Sequence, residues 1–400
     1  MKILVIHNAY RFRGGEEQSV ALQIAALEAS GHQVISYRKN SQDISGLSGF
    51  GKLRAAIATP YSPRVFREVS ELIHGEKPQL VHVHNVFPLI TASAIRAAAK
   101  NGVPVVYSHH NYRLSCPSGL RFLRGDVCDR CTGGFFLPAV LNRCVQHKLG
   151  PSLTYALALQ IDRIIGTFRT DIAVHVCPSR SLQRQLEKIM PTGTPIEIIP
   201  HFLPDHSVSE RKAERPYIVY LGRISEEKGV MLLAKAAKDL TKYMDIEVLG
   251  DGPLREELAQ GLSAREENQV HFRGHLANDR RFEFLTGALA LVVPSLSEET
   301  FSYAVLEAFR AGVPVVAARV GALEELVEEE VNGLLFPRGS HQGMVAAIMR
   351  LHRDIIFRNS LARGARESFM KKYTMDVGYQ ALMDCYRRVL AARRQDERIA

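Results

Sequence analysis

The chain predicts a doubly wound α/β protein made of two parallel-sheet domains. Three observations lead there. Apolar, strand-like runs alternate with amphipathic, helix-like stretches along the whole sequence, which is the pattern of parallel strands joined by crossover helices. At 400 residues the chain is long enough for two domains. Midway, PHFLPDHSVSERKAERP (residues 200–216) interrupts the alternation with prolines and dense charge, as a linker does.

The elements follow in order. Residues 3–6 form a buried-type strand, a loop reaches Gly14-Gly15, and a helix opens with Glu16 and Glu17 in its first turn, where acids suit the helix dipole. It ends near Gly31. Residues 34–37, 80–84, 103–108 and 174–178 read as further strands, the last leading into a helix over 182–190. After the linker, strands are expected at 217–221, 246–249, 270–272, 290–293 and 315–318. A basic amphipathic helix over about 377–394 closes the chain.

The net charge of +9 is uneven: residues 1–200 carry +10 and the rest −1. A basic first half predicts an anionic partner, and with no aromatics interleaved among the cations a bilayer surface is expected and nucleic acid is not. No run of 18 apolar residues predicts a membrane span. MKILVIHNAY reads as a first strand and lacks the pattern of a secretory leader, so the expected location is the cytoplasm, at the inner face of the cytoplasmic membrane.

The chemistry concentrates in SEETFSYAVLEAFRAGVPVVA, residues 297–317. Glu299 and Glu307 stand eight positions apart around a helix start, with Thr300, Phe301, Ser302 and Tyr303 leading in and Gly312 stopping the helix. A helix N-terminus presents N–H groups and positive potential that suit a phosphate. Upstream, YLGRISEEKGV sets Gly222, Arg223 and Lys228 directly after a strand, where α/β sheets bind ligands and where two cations neutralise a leaving diphosphate. LGDGPL brings Gly250 to a strand-to-helix turn, and FRGHL ends at Leu276.

The glutamate-x7-glutamate spacing, with its Thr-Phe-Ser, Val-Leu-Glu-Ala and Gly-Val-Pro-Val-Val context, resembles the signature of the retaining glycosyltransferases of the GT4 family. The resemblance implies the GT-B fold: two Rossmann-like domains facing across a cleft, here residues 1–203 on the acceptor side and 204–376 on the nucleotide-sugar side, with about 377–400 packing back on the first. It implies a UDP- or GDP-sugar donor and a glycan or lipid-linked acceptor. In that family's pattern Arg223 and Lys228 contact the diphosphate, Gly15 and Gly250 allow close backbone approach, Leu276 lines the nucleobase, Glu299 positions the donor sugar and Glu307 the ribose. No Asp-x-Asp occurs, in keeping with transfer that needs no catalytic metal. Either Glu307→Ala or Lys228→Ala is expected to abolish transfer with the fold intact. Two other readings stay open: a transferase with a small soluble acceptor, and an inactive nucleotide-sugar-binding scaffold.

In the first half VHVHN (81–85) and YSHHNYRLSCP (107–117) end strands, bringing His84, His110 and Asn111 to the sheet's carboxyl edge. The His-Asn-Tyr-Arg string resembles a GT4 subgroup with cysteine-containing first domains, which implies a place for His110 beside the transferred sugar and a less definite one for His109. An imidazole there is expected to titrate near neutrality. Cys116, Cys128, Cys131 and Cys144 fall within 29 residues. Four thiolates make a structural zinc site or remain reduced thiols, with a redox pair as a third reading.

Overall fold

A computed structural model describes residues 1–10, 14–44, 46, 48–205 and 213–399. The expected linker falls partly outside the described residues, at 206–212. Two compact units divide the chain: Met1–Arg121 with Cys128–His201 and Gly378–Ala400, and Phe122–Val127 with Phe202–Val377.

The first unit holds a six-stranded sheet of β1 (Lys2–Ala9), β2 (Gln33–Asn40), β3 (Leu80–Asn85), β4 (Val105–Ser108), β5 (Val174–Cys177) and β6 (Ile196–Ile198), in the order β2-β1-β3-β4-β5-β6. Every pairing is parallel. The period of two along each strand splits the apolar side chains between two faces. Leu4, Ile6, Val81 and Val83 join one core cluster, while Ile3, Val5 and Leu80 join the other. The second cluster is completed by Leu382, Met383, Cys385, Tyr386 and Val389 of the closing helix Met375–Ile399.

The second unit repeats the plan with β7 (Tyr217–Leu221), β8 (Asp245–Leu249), β9 (Val270–Gly274), β10 (Ala290–Val293), β11 (Val315–Ala318) and β12 (Gly333–Phe336), ordered β9-β8-β7-β10-β11-β12. All are again parallel. Strands buried on both faces read as near-continuous apolar runs, as Ala290–Val293 and Val315–Ala318 do. Strand order reverses beside β7, the point at which open α/β sheets take ligands at the carboxyl ends of their strands.

Among the strands the structure adds three features that the apolar pattern does not announce: β6, β12, and a two-stranded hairpin of Phe122–Leu123 with Asp126–Val127. The hairpin strands have two residues each, too short to show a period. The helix expected over 182–190 runs Arg180–Glu187 behind the Ser179 cap. Among the described residues no helix is long and apolar enough to cross a membrane.

Candidate functional site

In the second unit the residues singled out from sequence follow the carboxyl ends of neighbouring strands. Gly222, Arg223 and Lys228 follow β7, Gly250 follows β8, Leu276 follows β9, and Glu299 follows β10. The β7 and β8 turns close on each other through Gly222 N–H to the Leu249 carbonyl at 3.0 Å and Ile224 N–H to the Asp251 carbonyl at 3.0 Å. Gly250 is required there. Its φ is 137°, and a Cβ would stand 1.9 Å from the Gly222 carbonyl oxygen.

The central contact is an ion pair. Lys228 Nζ lies 2.7 Å from Glu299 Oε1, and that same oxygen accepts from Ser295 Oγ at 2.6 Å. Oε2 takes part in neither bond. The Glu299 backbone is held as well, its carbonyl accepting from Ala322 N–H at 2.9 Å. Arg223 bonds Glu227, which also accepts from Ser225 Oγ at 2.7 Å. Burial alone would raise the Glu227 carboxyl, but Arg223, Ser225 and backbone N–H bonds hold it below its ordinary range. The Glu227 carbonyl in turn accepts from Leu296 and Ser297 N–H at 2.9 and 3.0 Å, tying the Lys228 turn to the Glu299 loop.

The helix runs Tyr303–Arg310, so Glu299 stands four residues ahead of its first turn, and Ser302 makes no side-chain cap. Phe301 is buried, its ring 6.2 Å from that of Tyr373. Glu307 is 4% exposed and meets Arg281 at 3.1 Å. The two glutamates of the signature therefore serve different partners. In Glu307→Ala the half-buried Arg281 guanidinium would lose this carboxylate, at a cost of about 2 kcal/mol.

In the first unit an imidazole cluster fills the carboxyl edge of the sheet. His82 and His84 are two apart on β3, so both rings share a face, 4.2 Å between centroids. His84 Nδ1 lies 3.1 Å from His110 Nε2, and His110 stacks on His201 at 5.2 Å. His109 bonds His175 instead, 2.8 Å from ring nitrogen to ring nitrogen. His110 does not titrate near neutrality. Burial first, then the neighbouring imidazoles, pushes both His110 and His84 well below the usual histidine range, so both are neutral at pH 7.

Gly15 opens the first helix, where the Glu17 carboxylate accepts from Tyr10 N–H at 2.8 Å and Gly14 N–H at 3.0 Å. Glu16 lies inside, accepting from Asn111 Nδ2 at 3.3 Å, with His7 Nδ1 3.8 Å away. Burial and the adjacent Glu17 raise its carboxyl to about 8 against the pull of Arg113. Sequence reading passed over Glu16, His7, His82 and His201 as site residues. The signal was present for His82, which alternates with His84 on one strand.

Cys116, Cys128, Cys131 and Cys144 are all free thiols. Burial, then Cys116, pushes Cys131 up to about 12 and Cys144 up to about 11, which keeps both protonated. Among the described residues no three His, Cys, Asp or Glu side chains are placed to hold a metal ion. The four cysteines are therefore not arranged as the expected zinc tetrahedron among the described residues.

Comparison with known proteins identifies the family and the fold. Residues 13–205 match the family described as Glycosyltransferase Family 4, and residues 215–354 match Glycosyl transferases group 1. The chain belongs to the GT4-type glycosyltransferases. It is 32% identical over 167 residues to the sulfoquinovosyl transferase SQD2 of Arabidopsis thaliana, covering 41% of this chain and 32% of that protein. It is 29% identical over 208 residues to the lipopolysaccharide core biosynthesis glycosyltransferase LpsD of Rhizobium meliloti, covering 50% of this chain and 59% of that one. The matches thus span between about a third and three fifths of these two relatives' lengths. The structure of Anabaena HepE in complex with UDP superposes with a TM-score of 0.68 at 19% identity, covering 97% of this chain and all of that one. The shared architecture is the GT-B fold.

Proposed function

We propose that this family member moves a sugar from a UDP- or GDP-sugar to a glycan or lipid-linked acceptor, retaining the anomeric configuration and using no catalytic metal. The observation that carries the reading is the Lys228–Glu299 pair at 2.7 Å, set on loops after two adjacent strands of one parallel sheet. Charge grows on the diphosphate as the anomeric C–O bond breaks. Lys228 and Arg223 are the cations within that turn to receive it, and each already has a carboxylate partner that fixes its position. Glu299 Oε2 is the acceptor for a donor-sugar hydroxyl, while Oε1 stays with Lys228 and Ser295. Glu307 is the ribose acceptor by family pattern, oriented by Arg281. On the first unit, His110 offers a neutral imidazole to a sugar hydroxyl and needs no proton uptake to do so.

HepE was solved with UDP, which supports a uridine nucleotide as the first donor to try. LpsD acts in lipopolysaccharide core biosynthesis, which supports a bacterial surface-glycan role and a site of action at the inner face of the cytoplasmic membrane. The test is Lys228→Ala beside Glu307→Gln, the latter chosen to keep a partner for Arg281. Both are expected to lower transfer at least about a hundredfold, the usual loss of a transition-state electrostatic contact, with unchanged circular dichroism. Near-normal turnover in both would sink the assignment.

A further inference from the structure

One face of the first unit is apolar where a water-facing helix should be polar. The helix Leu149–Ile165 buries Ser152, Ala156, Ala158, Leu159 and Asp162 on its inner side. Its outer side carries Leu149, Leu153, Leu157 and Ile164, from 45 to 81% exposed. Their spacing of four, four and seven places them in a single stripe within about 80° of arc. Two helices packed against this one repeat the feature. Leu137–Leu141 exposes its two end leucines, four apart, and Gly49–Ala58 exposes Phe50 and Ile57, seven apart. Three neighbouring helices each turning an apolar pair or stripe outward is not the scatter of single exposed side chains that soluble surfaces carry.

The sequence around the stripe is predominantly basic. From Arg130 to Thr170 there are five lysines and arginines and a single acid, Asp162, which is buried. Arg130, Arg143 and Lys148 are exposed and make no ion pair among the described residues. Lys148 directly precedes the stripe in sequence, and Arg143 lies six residues before it. A second copy of the chain would set these cations against one another, which disfavours self-association through this face. A nucleic acid would meet the cations but leave the leucines in water.

We propose that this face, made by the helices Gly49–Ala58, Leu137–Leu141 and Leu149–Ile165, docks the protein in the interfacial layer of an anionic phospholipid bilayer. The leucine stripe enters the acyl boundary, and Arg143 and Lys148 stay at the headgroups, each cation near such a surface being worth about fivefold in partitioning. The inference deepens the proposed site of action at the inner membrane face by naming the surface that docks there, and it stands whatever sugar or acceptor the enzyme uses. A lipid-linked acceptor, however, would be presented at just such a surface.

The test is co-sedimentation of the full chain with vesicles of phosphatidylcholine alone and of phosphatidylcholine mixed with phosphatidylglycerol. Binding is expected only to the mixed vesicles and is expected to weaken as salt is raised. The double variant Leu153→Glu, Leu157→Glu alters only outward side chains. It should keep its melting profile and lose partitioning by about tenfold or more. A second variant, Arg143→Glu with Lys148→Glu, should abolish the preference for the anionic vesicles. The idea is overturned if the wild-type chain ignores anionic vesicles, if the leucine variant binds like wild type, or if sedimentation shows a dimer that the leucine substitutions dissolve. Nucleotide-sugar binding is read separately by thermal shift, so failure of the vesicle arm leaves the transferase reading standing.

Discussion

At the scale of single residues, burial decides protonation more than charge does. His82 and His201 are pushed down to about 3 and His175 to about 4, in each case chiefly by desolvation. In the unfolded chain these imidazoles take protons below about pH 6.5, whereas in the folded chain they do not. Their contribution is therefore present above pH 6.5 and lost as pH falls toward 4. Calorimetry should show the melting temperature dropping steeply across that window, and a flat profile would contradict the neutral cluster. Glu16 works in the opposite sense. Its folded carboxyl titrates near 8, among His7, Glu17, Tyr10, Asn111 and Arg113, so its contribution is full at low pH and is lost as pH rises through 8. Glu16→Gln should leave stability at pH 5 nearly unchanged and raise it at pH 9 by about 1–3 kcal/mol, measured by urea titration. Arg223, Lys228 and Glu299 were legible in the sequence because motif and strand end coincide. Ser295 and Arg281, which hold the two glutamates, were not, since nothing in a lone serine or arginine announces a distant partner.

At the scale of elements, the turns after β7 and β8 form one unit because only backbone separates them. Gly250→Ala drives a Cβ to 1.9 Å from the Gly222 carbonyl at a backbone angle that side chains avoid. It is expected to destabilise the second unit by about 3 kcal/mol or more and to abolish nucleotide binding, both readable in one thermal-shift series. Ordinary stability with full binding would show that the two turns are not coupled. Strand positions were legible where apolar runs of four or five residues met glycine or proline, as at 217–221, 290–293 and 315–318. The hairpin Phe122–Val127 escaped because two-residue strands have no period, and its grouping with the second unit is a tertiary fact. The cysteine loop shows the other limit: spacing alone left zinc and free thiols open, because it does not tell how the side chains are placed.

At the scale of the whole molecule, the chain builds two sheets of the same parallel plan, each carrying its own polar cluster. The second unit holds the cation–carboxylate pairs Arg223–Glu227 and Lys228–Glu299, and the first holds neutral imidazoles and a buried carboxyl. The charge asymmetry of the sequence has a structural counterpart in the basic rim of the Leu149–Ile165 helix. The exposed leucines beside it were hidden from sequence reading, because a helix's apolar residues are ordinarily its buried ones. A ligand held only by the second unit should raise the melting temperature in proportion to the logarithm of its concentration. The most direct measurement is thus thermal shift with UDP-, GDP- and ADP-sugars on the wild-type chain and on Lys228→Ala. The account predicts that a UDP- or GDP-sugar stabilises the wild type and that the variant loses the effect. It would be contradicted if no sugar nucleotide shifted the wild type, or if Lys228→Ala were stabilised equally.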